Sequence, residues 1–187
     1  GSGIVVGAAL AGERPIYVVR YQGFQWFNSP IIANYAMKSK EIWGRPCPLM
    51  VRSIAMEGGI GPVAGSSHHS IYQRMPGVKI LSPMTPGEWE YTYRQFMKDD
   101  DVYYISEHRK SYDNIDELHD TIHDSADITL FPISITRFAA EEARQMLEAE
   151  GLKVNIIHQL WIKPFICKET WSVALQNSKF GGIVLDD

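Results

Sequence analysis

The chain has 187 residues, 45% of them hydrophobic, and a formal net charge of −4 spread over segments of mixed sign. That is enough apolar material for one large or two small domains, and it lacks the basic stripe that a nucleic-acid partner requires. No apolar run approaches the roughly 18 residues of a membrane span and the N-terminus lacks the basic start of a signal peptide, so neither nucleic acid nor membrane is expected as a partner.

Taken in chain order, helical and extended patterns alternate. "GIVVGAALAG" predicts a helix with Gly3, Gly7 and Ala11 on one face, stopped by Gly12. "RPIYVVRY" is β-branched and aromatic, which predicts a buried strand. A helix follows over "NSPIIANYAMKSKEIWG", with Asn28 or Ser29 as N-cap and Pro30 in the first turn. "PLMVRSIA" and "VKIL" predict strands on either side of a glycine-rich loop. Next come a helix over "TPGEWEYTYRQFMKD" capped by Thr85, and the strand "VYYISEH". From Arg109 to Asp127 the chain turns acidic with little apolar periodicity, which predicts a linker. The alternation resumes with "ITLFPIS", the helix "AAEEARQMLEAEG" closed by Gly151, the strand "KVNIIHQL", the helix "ETWSVALQNSK" and the strand "GGIVLDD". Strands alternating with helices imply two doubly wound, mainly parallel α/β sheets. The expected organisation is 1–112, a linker over 113–126, and 127–187. A start in a helix and an end on a strand suggest a piece of a longer polypeptide, with Gly1 and Ser2 resembling a cloning scar.

Several kinds of chemistry lack their motifs. Neither a G-x-x-x-x-G-K-[ST] loop nor a G-x-G-x-x-G turn between strand and helix occurs. His119 and His123 stand four apart, but the carboxylates of Asp116, Glu117, Asp120 and Asp124 around them read as a solvated acidic helix or linker rather than a zinc site. Ser66, Ser67 and Ser70 lie near His68 and His69, yet no G-x-S-x-G elbow marks a nucleophilic serine. Cys47 and Cys167 form no recognisable spacing, which predicts two buried, reduced thiols in an intracellular setting.

The stretch "GPVAGSSHHSIYQRMPG", Gly61 to Gly77, is the strongest candidate site. It leaves the carboxyl end of a predicted parallel strand, where ligands collect in open α/β sheets, and its glycines permit backbone shapes closed to other residues. Imidazole is the side chain best matched to proton transfer near neutral pH, so His69 or His68 is the expected acid–base group. The alternative is a mobile surface loop with incidental histidines.

The segments "GIVVGAALAGERPI", "GGIGPVAGSSHHS", "MPGVKILSPMTP" and "YYISEHRKSY" resemble, in order and spacing, the beta subunits of the thiamine-diphosphate-dependent decarboxylating component of 2-oxo acid dehydrogenases. "ITLFPISITRFAAEEARQMLEAEGLKVNIIHQLWIKPF" is similar to the start of their transketolase C-terminal domain. The resemblance implies a transketolase-like pyrimidine-binding domain, with the family's loop histidine at His69. It also implies an aromatic packed on the cofactor's aminopyrimidine at Phe24, with Tyr21 as a neighbour and plain core packing as the alternative for Phe24. His68 and Ile71 depart from the family pattern. The glutamate that promotes the imino tautomer of the cofactor falls before Gly1, so the chain alone is expected to be inactive. No G-D-G stretch with a later asparagine occurs, so magnesium and the diphosphate are expected on a partner alpha subunit. An α2β2 heterotetramer, a small 2-oxo acid substrate, a lipoyl-bearing acyltransferase component and a cytoplasmic or mitochondrial-matrix setting follow from the same resemblance. The rival expectations are the pyrimidine half of a split transketolase acting on sugar phosphates, which needs phosphate-binding groups such as Arg52 or Arg74, and a non-catalytic paralogue.

Overall fold

In the computed structural model, which describes residues 1–186, the apolar strands collect into one five-stranded and one three-stranded sheet. Helix α1 (Ser2–Leu10) ends where Gly12 takes φ +102°, as its position predicts, and leads into β1 (Ile16–Val19). Strand β1 is an edge strand with Ile16 and Val18 exposed, so only one of its faces is buried. A 3₁₀ turn at Gln22–Phe27 precedes a continuous helical run: α2 (Ser29–Ile31), a π turn at Ile32–Ala36, and α3 (Met37–Trp43). Pro30 sits in the first turn as expected, but no side chain caps it.

Strand β2 (Met50–Ala55) is followed by the one-turn helix α4 (Pro62–Gly65) and a 3₁₀ turn at His69–Tyr72. Then come β3 (Val78–Leu81), α5 (Pro86–Phe96) and β4 (Val102–His108), which is buried throughout. The first sheet has the order β1-β2-β4-β3, all parallel. Its two faces carry separate cores. Val51, Ile80 and Tyr104 pack under α1 and the 29–43 helical run, while Met50, Leu81, Tyr103 and Ile105 pack with Phe96 of α5.

After a 3₁₀ turn at Arg109–Asp113, the acidic stretch runs without a helix, so His119 and His123 share no helical face. Thr121 forms an antiparallel bridge with Ile156. The second sheet is built from β5 (Ile128–Pro132), α6 (Thr136–Ala149), the three-residue β6 (Val154–Ile156), α7 (Glu169–Gln176) and β8 (Gly182–Leu185). Its order is β6-β5-β8, all parallel. Gly151 takes φ +87° beyond α6, the predicted stop. Asp187, the last residue of the predicted strand "GGIVLDD", lies outside the described residues.

Between β6 and α7 lies β7 (Trp161–Lys163), a stretch to which the sequence reading assigned no element. It joins the first sheet antiparallel to β3, so the two sheets share a stretch of chain. The thiols also differ from expectation: Cys47 is buried, its pKa pushed up to about 11 by burial, whereas Cys167 is exposed. Trp161 and Ile162 pack against the cores of the first sheet, but Phe165 and Ile166 are exposed, and Cys167 follows them at the surface.

Thr85 caps α5 as predicted, accepting from Glu88 N–H at 3.3 Å. The acidic stretch reinforces that cap. Glu117 accepts from the Thr85 hydroxyl at 2.5 Å and from Gly87 N–H at 2.7 Å, and these bonds hold its carboxyl below the usual carboxylate range. A depressed folded-state pKa means stabilisation that is complete above the ordinary value of 4.5 and lost as pH falls through the folded value. Glu117→Gln is expected to lower stability at pH 7 by at most about 1 kcal/mol, the scale of a helix cap. It is also expected to flatten the acid limb of the melting-temperature profile, read by circular dichroism between neutral pH and acid.

Candidate active site

The chain path makes a topological switch point at the carboxyl ends of β2 and β4, the place where open α/β sheets form a ligand crevice. From β2 the chain passes over β4 to reach β3 and then turns back, so neighbouring strands β2 and β4 send their following segments to opposite faces. The segment after β2 places Tyr72 in the core under the 29–43 helical run, whereas the segment after β4 returns Tyr112 to the α5 side.

Polar side chains replace apolar ones as the strands reach this edge. Ser53 of β2 and Ser106 of β4 are register partners and fully buried. Gln22, also fully buried, links the segments that meet them. Its Nε2 donates to Ser106 Oγ at 2.9 Å and to the Ser53 carbonyl at 3.2 Å, and its Oε1 accepts from His68 N–H at 2.6 Å and the Tyr104 hydroxyl at 3.2 Å. Gly23 makes this approach possible, because a Cβ there would lie 1.8 Å from the Val63 carbonyl oxygen.

His69 lies inside this cluster rather than on a mobile surface loop. Only 5% of it is exposed; its Nδ1 is 2.9 Å from Ser67 Oγ and 3.4 Å from Ser106 Oγ, and its Nε2 is 3.1 Å from Asp186 Oδ2. Asp186 follows β8, so the second sheet reaches the histidine of the first. His68, the other candidate, is half-buried and meets the edge of Trp26 at a centroid distance of 5.7 Å.

Family comparison fits this geometry. The transketolase pyrimidine binding domain matches residues 2–114. The chain belongs to that family. Among curated relatives of this pyrimidine-binding chain, the 2-oxoisovalerate dehydrogenase subunit beta of Bacillus subtilis (strain 168) is 27% identical over 98% of the chain and 60% of its own length. The beta subunit of the acetoin:2,6-dichlorophenolindophenol oxidoreductase of Cupriavidus necator is 24% identical over 87% of the chain and 52% of its own length. The pyruvate dehydrogenase E1 component subunit beta of Gracilaria tenuistipitata var. liui is 25% identical over 87% of the chain. The chain thus spans between 52% and 60% of the length of these relatives. Among solved structures, a transketolase mutant from Pichia stipitis superposes with a TM-score of 0.76 at 15% identity, covering 100% of the chain and 32% of its own. A split-gene transketolase described as an inactive beta4 tetramer superposes with a TM-score of 0.71 at 18% identity, over 94% of the chain and 58% of its own. These likenesses establish the transketolase-like fold.

Within this pyrimidine-binding domain, Phe24 and Tyr21 sit on the turn that Gln22 ties to the histidine segment. Their rings lie 6.1 Å apart at 60°. Phe24 is 44% exposed, so its face is not spent in the core as plain packing requires. The Tyr21 hydroxyl accepts from Arg109 at 3.4 Å. Among the described residues, the buried Gln25 Oε1 and Ser53 Oγ meet no hydrogen-bond partner by distance and angle. A half-exposed aromatic face suits stacking on the aminopyrimidine half of thiamine diphosphate. Among the described residues, no three or more His, Cys, Asp or Glu side chains gather as a metal cluster.

The opposite face of the same strands holds a feature the sequence reading passed over. Arg52 clasps the fully buried Glu107 with Nε at 2.7 Å and Nη2 at 2.8 Å, and lies 4.7 Å from the Trp89 ring centroid. Tyr112 donates to Glu107 at 2.6 Å; burial and this carboxylate together raise its pKa. The guanidinium is already paired, which weakens Arg52 as a phosphate anchor. Asp186 and Gln22 were likewise missed. Serines within the largely apolar strands "MVRSIA" and "VYYISEH" were the available signal for the crevice, while Asp186 gave none because 117 residues separate it from His69.

Proposed function

We propose that this chain is the beta subunit of a thiamine-diphosphate-dependent 2-oxo acid dehydrogenase, supplying the pyrimidine side of a site completed by an alpha subunit. The observation that carries this reading is a buried, doubly hydrogen-bonded histidine at the crevice of a pyrimidine-binding domain. Three beta subunits of related oxidoreductases match most of the chain and support the choice of reaction. When bound, thiamine diphosphate supplies the carbanion stabilisation that decarboxylation needs. The chain's own residues do the rest. Phe24 offers a ring face to the pyrimidine, Tyr21 borders it, and His69 holds or moves a proton at its ring nitrogens.

In the same reading, magnesium and the diphosphate are held by the alpha subunit of an α2β2 heterotetramer, and the acyl group passes to a lipoyl-bearing acyltransferase. Residues 1–112 form the pyrimidine-binding domain, 113–126 the linker, and 127–187 part of a transketolase C-terminal domain. A cytoplasmic or mitochondrial-matrix setting belongs to the same reading.

One observation favours a second reading: the split-gene transketolase neighbour shares the fold over 94% of the chain. The deciding experiment mixes the full-length chain with candidate alpha partners and assays thiamine-dependent decarboxylation of pyruvate and branched 2-oxo acids, alongside ketol transfer between sugar phosphates. Decarboxylation without ketol transfer is the expected result. Ketol transfer alone supports the second reading, and loss of both with no cofactor retained marks a non-catalytic paralogue.

A further inference from the structure

We propose that Asp186 is a positioning residue for His69, fixing its tautomer so that the half-buried Ser67 hydroxyl becomes the crevice end of a proton relay. The two contacts differ in chemistry. An ionised carboxylate only accepts hydrogen bonds, so the 3.1 Å contact to Asp186 Oδ2 requires the hydrogen on Nε2. Neutral imidazole then has its lone pair on Nδ1, which faces two hydroxyls, Ser67 at 2.9 Å and Ser106 at 3.4 Å. Ser106 is fully buried and its oxygen already accepts from Gln22 at 2.9 Å, which makes it the interior support. Ser67 is nearer to Nδ1 and partly open.

The relay balances one proton. The Ser67 hydroxyl gives its hydrogen to Nδ1 while its oxygen takes one from a donor in the crevice, leaving Ser67 neutral and His69 cationic against the Asp186 carboxylate. The reverse sequence returns the proton. No step requires Asp186 to become protonated. Because Asp186 follows β8 at the edge of the second sheet, the orientation of His69 depends on how that sheet sits against the first.

The catalytic use of this relay rests on the proposed function above, whereas the tautomer does not. The test is long-range imidazole ¹H–¹⁵N spectroscopy on the full chain labelled at histidine, with His69 assigned by its disappearance in His69→Gln. The expected result is an Nε2–H ring in the unaltered protein that moves toward an Nδ1–H or mixed ring in Asp186→Asn, and returns in Asp186→Glu. Ser67→Ala is expected to keep the Nε2–H form while shifting the Nδ1 resonance, as loss of a donor requires. An Nδ1–H ring in the unaltered protein, or a ring indifferent to Asp186→Asn, overturns the inference, and the first of these needs only the His69→Gln assignment and no Asp186 variant. In the reconstituted assembly, Asp186→Asn is expected to lower kcat on pyruvate or a branched 2-oxo acid by about 10- to 100-fold at unchanged KM, as for a misplaced catalytic group. An unaltered assembly that turns over neither substrate removes the proposed function but leaves the tautomer result standing.

Discussion

Replacing His69 with alanine is expected to reduce thiamine-dependent decarboxylation by the assembled enzyme by about 10²–10⁴-fold, the range over which a positioned acid–base group contributes. The ring is 5% exposed and both nitrogens are engaged, so its orientation is set before any substrate arrives. Such preorganisation predicts that the loss falls on kcat with little change in KM, since an interaction needed only as charge develops does not contribute to ground-state binding. Alanine also leaves a gap in the buried polar cluster, so His69→Gln is the sharper variant. It retains hydrogen-bonding capacity and much of the volume but cannot take up a proton near neutral pH. Both variants are expected to lose turnover while the glutamine form keeps a nearly unaltered melting temperature. Full turnover in a well-folded His69→Gln assembly would remove His69 from the chemistry.

The parts of this site differ in how far sequence alone could reach them. The parallel sheets follow from local periodicity, because apolar runs such as "VYYIS" fit strands buried on both faces and helices with polar sides must separate them. The loop histidine was visible for a related reason: its position after a strand places it at the sheet rim. What pattern reading could not supply was depth. A segment rich in glycine and serine looks solvent-exposed, yet Gln22, Ser53 and Ser106 provide it with a buried polar lining drawn from three separate segments. The three-residue β7 escaped for a different reason. Its neighbours merge with it in hydrophobicity, and only antiparallel pairing to the distant β3 defines it. Glu117 read as solvated acidity because its partners, Thr85 and Gly87, lie some thirty residues upstream.

The contact between the sheets is the second place where a single substitution is expected to act strongly. Arg137 of α6 is fully buried and its Nη atoms reach the Glu88 carboxylate of α5 at 2.6 and 2.8 Å. Glu88 also accepts from Met84 N–H at 2.8 Å, so one carboxylate serves both the start of α5 and the opposite sheet. Glu88→Ala leaves a cation in the interior without its partner, which is expected to destabilise the chain by about 3–5 kcal/mol. For a chain of this size that corresponds to a fall in melting temperature of about 6–20 °C. Replacing the pair together, as Glu88→Leu with Arg137→Met, is expected to cost much less, because no uncompensated charge remains. Equilibrium denaturation of the two single variants and the double variant measures the difference, and equal losses in all three would show that packing rather than charge holds the sheets. The latch also carries a pH dependence. His158 receives Arg137 Nε–H on Nδ1 at 3.4 Å and faces Glu141 with Nε2 at 3.0 Å. Burial, followed by the Arg137 charge, lowers its pKa from the ordinary 6.5. Its contribution to stability is therefore complete above pH 6.5 and declines as pH falls through the folded value. Protonation, which the lowered pKa defers to below pH 6.5, places a second cation beside Arg137 and so weakens this contact between the sheets. Glu88→Ala is accordingly expected to disturb the His69 ring as well as the melting temperature, although it touches neither His69 nor Asp186.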